Sequence, residues 1–325
     1  MLLVLFSIFL KEERFQLVYG DLSDNVSLDN LVRDIQPDYF INFAAQSFVG
    51  CSWDIPLQTF DSNATGVARC LEAVRRFQPK CRFYSAGSSE EFGDVSYSPQ
   101  DINHPLRPRS PYGASKAAAR QLVKVYRDSY NLYAIHGILF NHESPQRGET
   151  FLTRKVTRAA ARIALGLDNC LYLGNLNAQR DWGHAKDYIE GMYLMLQQDK
   201  PEDFVLATGI TTTIREFVKM TFVELGIELG FKGADDAEEG YVVKNTGIYN
   251  LKEGQVIVKV DPKYYRPTEV DLLIGDPTKA ITKLGWKPKY DLAALVKEMV
   301  ASDLDIFKKE LLLKENGYTT SKESE

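Results

Sequence analysis

The sequence predicts an α/β protein in which helices cover a parallel sheet. From residue 15 to residue 140, short apolar runs alternate with longer stretches of amphipathic helical spacing. Such alternation is typical of strands joined by helical crossovers. The 325 residues are 44% hydrophobic and 26% charged, which is globular composition with room for one large domain or two lobes.

The first part of the chain carries the sheet pattern. Strands are predicted at residues 15–19, 39–44, 81–86 and 132–140, and helices at 27–34, 65–77 and 115–130. Asp24 or Ser27 is suited to cap the first of these helices. After residue 141 the pattern changes, and it predicts helices at 153–167, 187–198, 214–225 and 291–311, a strand at 204–207, and loops with short strands at 233–258. This second part predicts a smaller α/β lobe.

Charge and cysteine usage exclude several classes of protein. The net charge is -5 and no block of like charges stands out, so nucleic acid and anionic membrane are not expected partners. The four cysteines form no CxxC pair, which predicts reduced thiols in a cytoplasmic protein (Cys51, Cys70, Cys81, Cys170). The four histidines show no ligand spacing, so no metal site is predicted.

The chain begins with the apolar run MLLVLFSIFL. This run is too short to span a bilayer, which needs about 20 residues. It lacks a preceding basic residue and a following small-residue cleavage site, so a core segment or an incorrect start is favoured over a targeting signal.

Tyr112 and Lys116 form the first chemical pattern. Four residues apart on a helix, they share one face. A lysine ammonium close to a phenol favours the phenolate and lowers the tyrosine pKa, so Tyr112 could remove a proton from an alcohol. A tyrosine and a lysine on a solvated helix face are the alternative, since a chain with 17 tyrosines offers such a pair by chance.

Ser88, Ser89 and Glu90 follow the predicted strand at 81–86. The carboxyl end of such a strand is where open α/β sheets bind ligands. A serine there could hydrogen-bond the substrate oxygen that Tyr112 deprotonates, although turn serines are common. The carboxylate of Glu90 could serve as a further acid or base, and the alternative is that it is a solvated surface residue like its neighbour Glu91.

The strand, the serine, the YxxxK pair and a later Arg-Asp-Trp resemble the extended short-chain dehydrogenase/reductase superfamily. The closer resemblance is to the GDP-mannose 4,6-dehydratase family, and it extends from about residue 15 to about residue 318. Five stretches carry it: residues 137–151 (GILFNHESPQRGETF), 170–175 (CLYLGN), 180–188 (RDWGHAKDY), 265–270 (YRPTEV) and 275–279 (GDPTK).

The resemblance implies a role for each matching residue. The catalytic set would be Ser88, Glu90, Tyr112 and Lys116. The cofactor, NADP with NAD not excluded, would be bound by Asp21, Leu22, Ala44, Ala45, Ser47, His142 and Arg147 together with Tyr112 and Lys116. The sugar nucleotide GDP-mannose would be bound by Asn141, Lys155, Arg180, Arg266 and Glu269.

The resemblance also implies the reaction, a step of GDP-fucose-type deoxyhexose biosynthesis. C4 of the sugar would be oxidised, water eliminated across C5 and C6, and the hydride returned to C6. An epimerase needs only oxidation and reduction at C4, so Glu90 is what selects dehydration. A Rossmann-like cofactor domain would comprise residues 1–142 and 179–209, and a sugar-binding lobe residues 143–178 and 210–325, in a homodimer or homotetramer.

One feature of the family pattern is missing. No GxxGxxG turn precedes Asp21, where a dinucleotide-binding fold places its first strand, phosphate turn and helix. We therefore expect a sheet that is incomplete at its N-terminal side. Gln58 also stands where the family has a tyrosine. Two alternatives to the dehydratase stay open: another nucleotide-sugar dehydratase or epimerase, and a truncated non-catalytic paralogue that binds GDP-sugar or an intact subunit.

Overall fold

The central sheet is parallel and has both faces covered. The computed structural model describes residues 14–265 and 272–318. Within them the sheet has the strand order β1-β2-β3-β8 and consists of β1 (Tyr39–Asn42), β2 (Arg82–Ala86), β3 (Ala134–Leu139) and β8 (Phe204–Leu206). The predicted α/β class with a parallel sheet is confirmed.

Alternate residues of each strand enter different cores. Phe83 and Ala134 pack against one set of helices, whereas their neighbours Tyr84 and Ile135 pack on the opposite face. The first set comprises α1 (Asn25–Ile35), α3 (Gly66–Phe77) and α4 (Pro111–Tyr130), and the second comprises α6 (Ala185–Leu196) and α8 (Thr278–Leu284). A short helix α2 (Pro56–Phe60) and one π-helical turn (Asp61–Thr65) lead into α3. Burial on both faces explains why β2 and β3 carry apolar residues on both sides of the sheet.

The second lobe is built on a mixed sheet. Its strand order is β10-β11-β12-β5, formed by β5 (Leu171–Leu173), β10 (Ile227–Lys232), β11 (Glu239–Asn245) and β12 (Val256–Val260). Only the β12–β5 pair is parallel. Three helices share its core: α5 (Leu152–Ala164), α7 (Ile214–Val223) and α9 (Leu292–Glu315).

Short strands link the two larger sheets. A parallel pair joins β4 (Asn141–Glu143) to β7 (Trp182–His184). A three-stranded sheet places β6 (Gln179–Arg180) between β9 (Thr212–Thr213) and β13 (Leu272–Leu273). Two residues predicted to bind substrate, Asn141 and Arg180, lie on these short strands.

The structure corrects two sequence predictions. Residues 15–19 are not assigned to a strand, and Tyr19 is 98% exposed. The long helix begins at Pro111 rather than at residue 115, because Ser110 caps it and proline suits its first turn. Residues 233–258 contain β11 and the first residues of β12 between loops, in agreement with the prediction of loops with short strands.

The remaining predictions concern the cap of α1, residues outside the described ranges, and helices that could span a membrane. The cap of α1 is Asp24, whose carboxylate accepts the Val26 N–H. The apolar run at residues 1–10 and the predicted substrate residues Arg266 and Glu269 lie outside the described residues. Among the described helices, none combines the length and apolar character needed to cross a membrane.

Candidate active site

The turn after β2 carries Ser88 and Glu90 at the carboxyl end of the sheet, as predicted. Ser88 caps a short 3-10 turn (Ser89–Glu91), and its Oγ accepts the Glu90 N–H at 3.3 Å. The Gly87 N–H is bound by the Gly137 carbonyl of β3, which anchors the turn to the sheet. Ser88 and Glu90 are half-buried and therefore accessible to a bound molecule.

Tyr112 reaches this turn from the first turn of α4. The Ser110 Oγ accepts the Gly113 N–H at 2.9 Å, which fixes where the helix starts. Gly113 packs so closely on the Glu90 main chain that an added Cβ would lie 2.5 Å from the Glu90 carbonyl oxygen. Glycine at this position lets the helix and the turn approach each other, and so brings Glu90 close to Tyr112.

The phenol of Tyr112 is buried and hydrogen-bonded to Ser88. Burial raises its pKa to about 12, while the hydrogen bond with Ser88 and the nearby charge of Arg147 act in the opposite direction. The sequence predicted that Lys116 would lower this pKa, and in this structure burial outweighs any such effect. The Lys116 Nζ donates to the Ala86 carbonyl at 2.8 Å and lies 5.9 Å from the centre of the Tyr112 ring.

Lys116 is itself almost fully buried, at 6% exposure. Burial lowers its pKa to about 8, and the charge of Glu91 opposes that shift. The ammonium therefore still predominates at neutral pH, and its charge is lost as the pH rises through about 8. A further hydrogen-bond acceptor on a bound molecule would stabilise its charge.

A cleft of about 670 Å³ opens beside the carboxyl end of β1. Four of the residues predicted to bind the cofactor line it, namely Asp21, Leu22, Ala44 and Ala45, whereas Ser47 is exposed outside this lining. Gln58 lines it as well. The position is the one that open α/β sheets use for dinucleotides, and the small Ala44 and Ala45 side chains leave room for a ring above the strand end. The residues present thus fit the adenosine part of a nicotinamide cofactor.

Local contacts hold the cleft walls. The Asp21 carboxylate accepts the N–H and the hydroxyl of Ser23, both at 2.8 Å, and these bonds lower its pKa. The Arg69 guanidinium donates to the Leu22 carbonyl at 3.0 Å and pairs with Asp61. The segment from Asp21 to Leu22 is therefore tied to α3.

Asn63 is a positioning residue that the sequence analysis missed. It lies on the π-helical turn, is buried, and exchanges two hydrogen bonds with the main chain of Gln46, at 2.8 and 2.9 Å. Its Nδ2 also donates to the Ser115 Oγ of α4 at 3.1 Å. Asn63 thereby joins the loop that contains Ala44 and Ala45 to the helix that carries Tyr112.

His142 and Arg147 follow β3 on the other side of the site. The His142 ring stacks on Tyr188 and its Nδ1 is 2.9 Å from the Phe140 carbonyl oxygen. Burial lowers the pKa of His142 to about 4, so the ring is neutral at neutral pH. The Arg147 guanidinium lies over the Phe151 ring and 3.1 Å from a Glu143 carboxylate oxygen.

Three predicted substrate residues lie where the two lobes meet or on the second lobe. The Asn141 amide donates to the Asp181 carbonyl at 3.4 Å. Arg180 is only 7% exposed and donates to the Gln179 carbonyl. The Lys155 ammonium lies 3.3 Å from the centre of the Tyr264 ring, and burial together with Lys263 lowers its pKa to about 8.

No metal centre accompanies these groups in the described ranges 14–265 and 272–318, where no cluster of three His, Cys, Asp or Glu side chains could hold an ion. The chemistry available is that of one phenol, one hydroxyl, one carboxylate and one ammonium, beside a cleft suited to a dinucleotide.

The fold and this arrangement define a Rossmann-type protein similar to the extended short-chain dehydrogenase/reductases. Its fold matches RMD from Pseudomonas aeruginosa complexed with NADPH, with a TM-score of 0.74 and 20% identity over 89% of this chain and 88% of that one. It also matches dTDP-glucose 4,6-dehydratase from Bacillus anthracis in complex with NAD, with a TM-score of 0.73 and 19% identity over 94% of this chain and 84% of that one.

Sequence comparison narrows the class. A family described as GDP-mannose 4,6 dehydratase matches residues 7–299. A GDP-mannose 4,6-dehydratase of Yersinia enterocolitica is 51% identical over 311 residues, which are 94% of this chain and 84% of the relative. The chain belongs to the GDP-mannose 4,6-dehydratase family, as its motifs predicted.

Proposed function

We propose that this protein is an NADP-dependent hydro-lyase that converts GDP-D-mannose into GDP-4-keto-6-deoxy-D-mannose. The observation that carries the proposal is the position of Glu90. Its main chain contacts Gly113, the residue next to Tyr112, and the charge of Glu90 acts on the Tyr112 phenol. A carboxylate beside the phenol is the additional acid/base that dehydration requires and epimerisation at C4 does not.

A bound nicotinamide cofactor would accept two electrons from the sugar at C4 and give them back at C6, so that it is regenerated in each cycle. Asp21, Leu22, Ala44 and Ala45 would hold its adenosine end, with Ser47 nearby. His142 and Arg147 would complete its binding site. We favour NADP over NAD, and a binding titration decides between them.

The proton transfers fall to side chains of this chain. The Tyr112 Oη would take the proton of the C4 hydroxyl, and the Ser88 hydroxyl would donate a hydrogen bond to the same sugar oxygen. Because burial raises the pKa of Tyr112 to about 12, Tyr112 is the protonated partner at neutral pH unless positive charge stabilises its phenolate. Arg147 supplies part of that charge, and the Lys116 ammonium lies 5.9 Å from the centre of the Tyr112 ring.

Glu90 would act on the neighbouring carbons. A ketone at C4 makes the C5 proton acidic, and the Glu90 carboxylate would remove it. The protonated Glu90 would then deliver a proton to the C6 hydroxyl, which leaves as water. Glu90 is half-buried, so it can reach a bound sugar while solvent competes less for its charge.

The sugar nucleotide would lie against the second lobe. Arg180 and Arg266 would bind the diphosphate, since a guanidinium can pair with phosphate oxygens in bidentate fashion. Asn141, Lys155 and Glu269 would hold the remainder of GDP-mannose. We assign residues 1–142 and 179–209 to cofactor binding, the rest to the sugar nucleotide, and propose a cytoplasmic homodimer or homotetramer.

The test is a two-stage assay on the purified protein. NADP+ and NAD+ are titrated first, and GDP-mannose is then added while products are followed by mass. We expect tighter binding of NADP+ and a product lighter by one water, and a Glu90→Gln variant that still binds cofactor but forms this product about 10²–10⁴-fold more slowly. An isomer of unchanged mass would indicate an epimerase, and binding without any product would indicate a non-catalytic GDP-sugar-binding protein.

A further inference from the structure

A buried pair, Glu91 and His136, lies directly beneath the active-site turn. Both side chains are fully buried, in contrast to the neighbouring Glu90. One carboxylate oxygen of Glu91 accepts the Ser88 N–H at 2.8 Å and also lies 2.8 Å from the His136 Nε2. A single oxygen thus joins the main chain of Ser88 to an imidazole on β3.

The active-site turn packs closely against the Glu91–His136 pair. A Cβ at Gly87 would overlap the His136 ring and would lie 2.7 Å from the same Glu91 oxygen. The Glu91 N–H in turn donates to the Ser88 carbonyl at 3.1 Å. Glu91 therefore holds Ser88 at two points, the N–H through its side chain and the carbonyl through its main chain, and truncation of the Glu91 side chain removes the first of these bonds.

The surroundings of this contact connect it to the groups proposed to carry out the reaction. Ser88 is hydrogen-bonded to the phenol of Tyr112, and its Oγ caps the Glu90 N–H. Displacing Ser88 would alter its distance to Tyr112 and the direction of Glu90 together. Neither Glu91 nor His136 is exposed to a bound molecule, so any influence they exert on the reaction is indirect.

Other titratable groups face the pair from each neighbouring element. The charge of Glu91 acts on Tyr84 of β2 and on Tyr112 and Lys116 of α4. On the far side, the main-chain N–H of His136 donates to the Asp203 carboxylate, which pairs with Arg127 at 2.7 Å. The main chain of His136 is thus held by Asp203, and its imidazole contacts Glu91.

We propose that Glu91 and His136 are positioning residues that hold Ser88 in register with Tyr112 for proton transfer. This inference rests on the proposed dehydratase function. Glu91 touches neither substrate nor cofactor, and its effect passes through the Ser88 main chain. It also supplies negative charge to the same buried region as Lys116.

Two variants of Glu91 separate the hydrogen bond from the charge. Glu91→Gln keeps an oxygen for the Ser88 N–H and an amide group beside His136, whereas Glu91→Ala removes both. We expect Glu91→Ala to lower kcat about 10²-fold, the effect of a displacement on the order of 1 Å, with KM for GDP-mannose roughly unchanged. We expect Glu91→Gln to restore most of kcat at the pH optimum.

The pH profile gives the second readout. Burial lowers the pKa of Lys116 and Glu91 opposes that shift, so Glu91→Gln leaves Lys116 to lose its proton at a lower pH. The alkaline limb of kcat/KM should therefore move to lower pH in Glu91→Gln. A limb that stays in place would show that Glu91 does not act on this region through its charge.

A remote buried carboxylate is the matched control. Glu238 is buried and pairs with Arg215 at 2.8 Å in the second lobe. Glu238→Gln should lower thermal stability while leaving kcat per folded molecule unchanged. If Glu91→Ala behaved in the same way, losing stability but no turnover, the positioning role would be overturned.

A measurement without turnover distinguishes failure of this inference from failure of the proposed function. The chain has four histidines, so ¹³C-labelled imidazole signals are few, and His136→Gln identifies the one from His136. We expect Glu91→Gln to shift the His136 signal in the protein without substrate. If the wild type consumed no GDP-mannose, the proposed function would fail even with this shift; an unchanged signal would refute the contact itself.

Discussion

Gly113→Ala tests how closely the Tyr112 helix must approach the Glu90 turn. An added Cβ would lie 2.5 Å from the Glu90 carbonyl oxygen and 3.1 Å from the Pro108 Cβ, whereas ordinary contact begins at 3.4 Å. The shortfall to the carbonyl is about 0.9 Å, and it is against main chain rather than a movable side-chain end. The helix and the turn must therefore separate by nearly that distance.

Gly113→Ala should reduce stability modestly and kcat strongly. Alanine is favoured over glycine within a helix by about 0.8–1.0 kcal/mol, and overpacking costs about 1–3 kcal/mol, so the net loss of unfolding free energy is at most about 2 kcal/mol. A displacement near 1 Å between reacting groups can cost about 10²-fold in rate. We expect Gly113→Ala to fold and to lose about 10²-fold in kcat.

The assay combines dehydration of GDP-mannose, followed by product mass, with a thermal melt. Gly191→Ala is the matched control, because a Cβ at this helical glycine would lie 2.6 Å from the Leu206 Cδ1, far from the catalytic turn. It should cost stability and spare kcat. A Gly113→Ala protein with wild-type kcat and a raised melting temperature would refute the close contact and the spacing argument built on it.

Three further outcomes are expected. Glu90→Gln should lower kcat by about 10²–10⁴-fold and leave cofactor affinity intact; an equal loss of affinity would argue against an acid/base role. Asn63→Ala leaves the Gln46 main chain without these two hydrogen bonds, so it should reduce the free energy of unfolding, measured by urea denaturation, by about 1–3 kcal/mol and weaken cofactor binding. Unaltered cofactor binding would count against the link between Asn63 and the cleft. Since burial lowers the pKa of Lys116 to about 8, its positive charge is lost as the pH rises through that value. Cofactor affinity should then fall above pH 8 in the wild type but not in Lys116→Arg, where the positive charge persists. The same pH dependence of cofactor affinity in both proteins would contradict this role of the Lys116 charge.

Much of the fold could be predicted because its signals are local. Apolar runs of strand length alternate with helical spacing, and the sheet buries both faces, as with Phe83 and Tyr84 on β2. The position of Ser88 follows from the same logic, since a polar residue directly after a buried strand must lie at its carboxyl end. The long helix starts four residues earlier than predicted, at Pro111, because Ser110 caps it there.

The remaining site residues could not be predicted, because their roles depend on partners distant in sequence. Asn63 lies 17 residues from Gln46 and 52 from Ser115, and nothing in its local sequence marks it. From the sequence alone, Glu91 resembles one of two neighbouring solvated carboxylates. Its contact with His136, 45 residues away, is formed only in the fold. Strand formation at residues 15–19 likewise depends on a hydrogen-bonding neighbour rather than on composition.

The geometry of the candidate site converges on the first turns of one helix, α4. Gly113 sets its distance to the Glu90 turn, Ser115 receives the Asn63 hydrogen bond from the cleft side, and Lys116 donates to the carbonyl of Ala86 at the end of β2. Contacts from three separate segments thus fix the position of α4, the helix that carries the Tyr112 phenol. It follows that substitutions able to shift α4 by a fraction of an ångström should reduce turnover together with cofactor affinity, whereas equally destabilising changes in the second-lobe core should reduce stability alone. Comparing such pairs by kcat per folded molecule separates positioning from stability in a way that activity measurements alone do not.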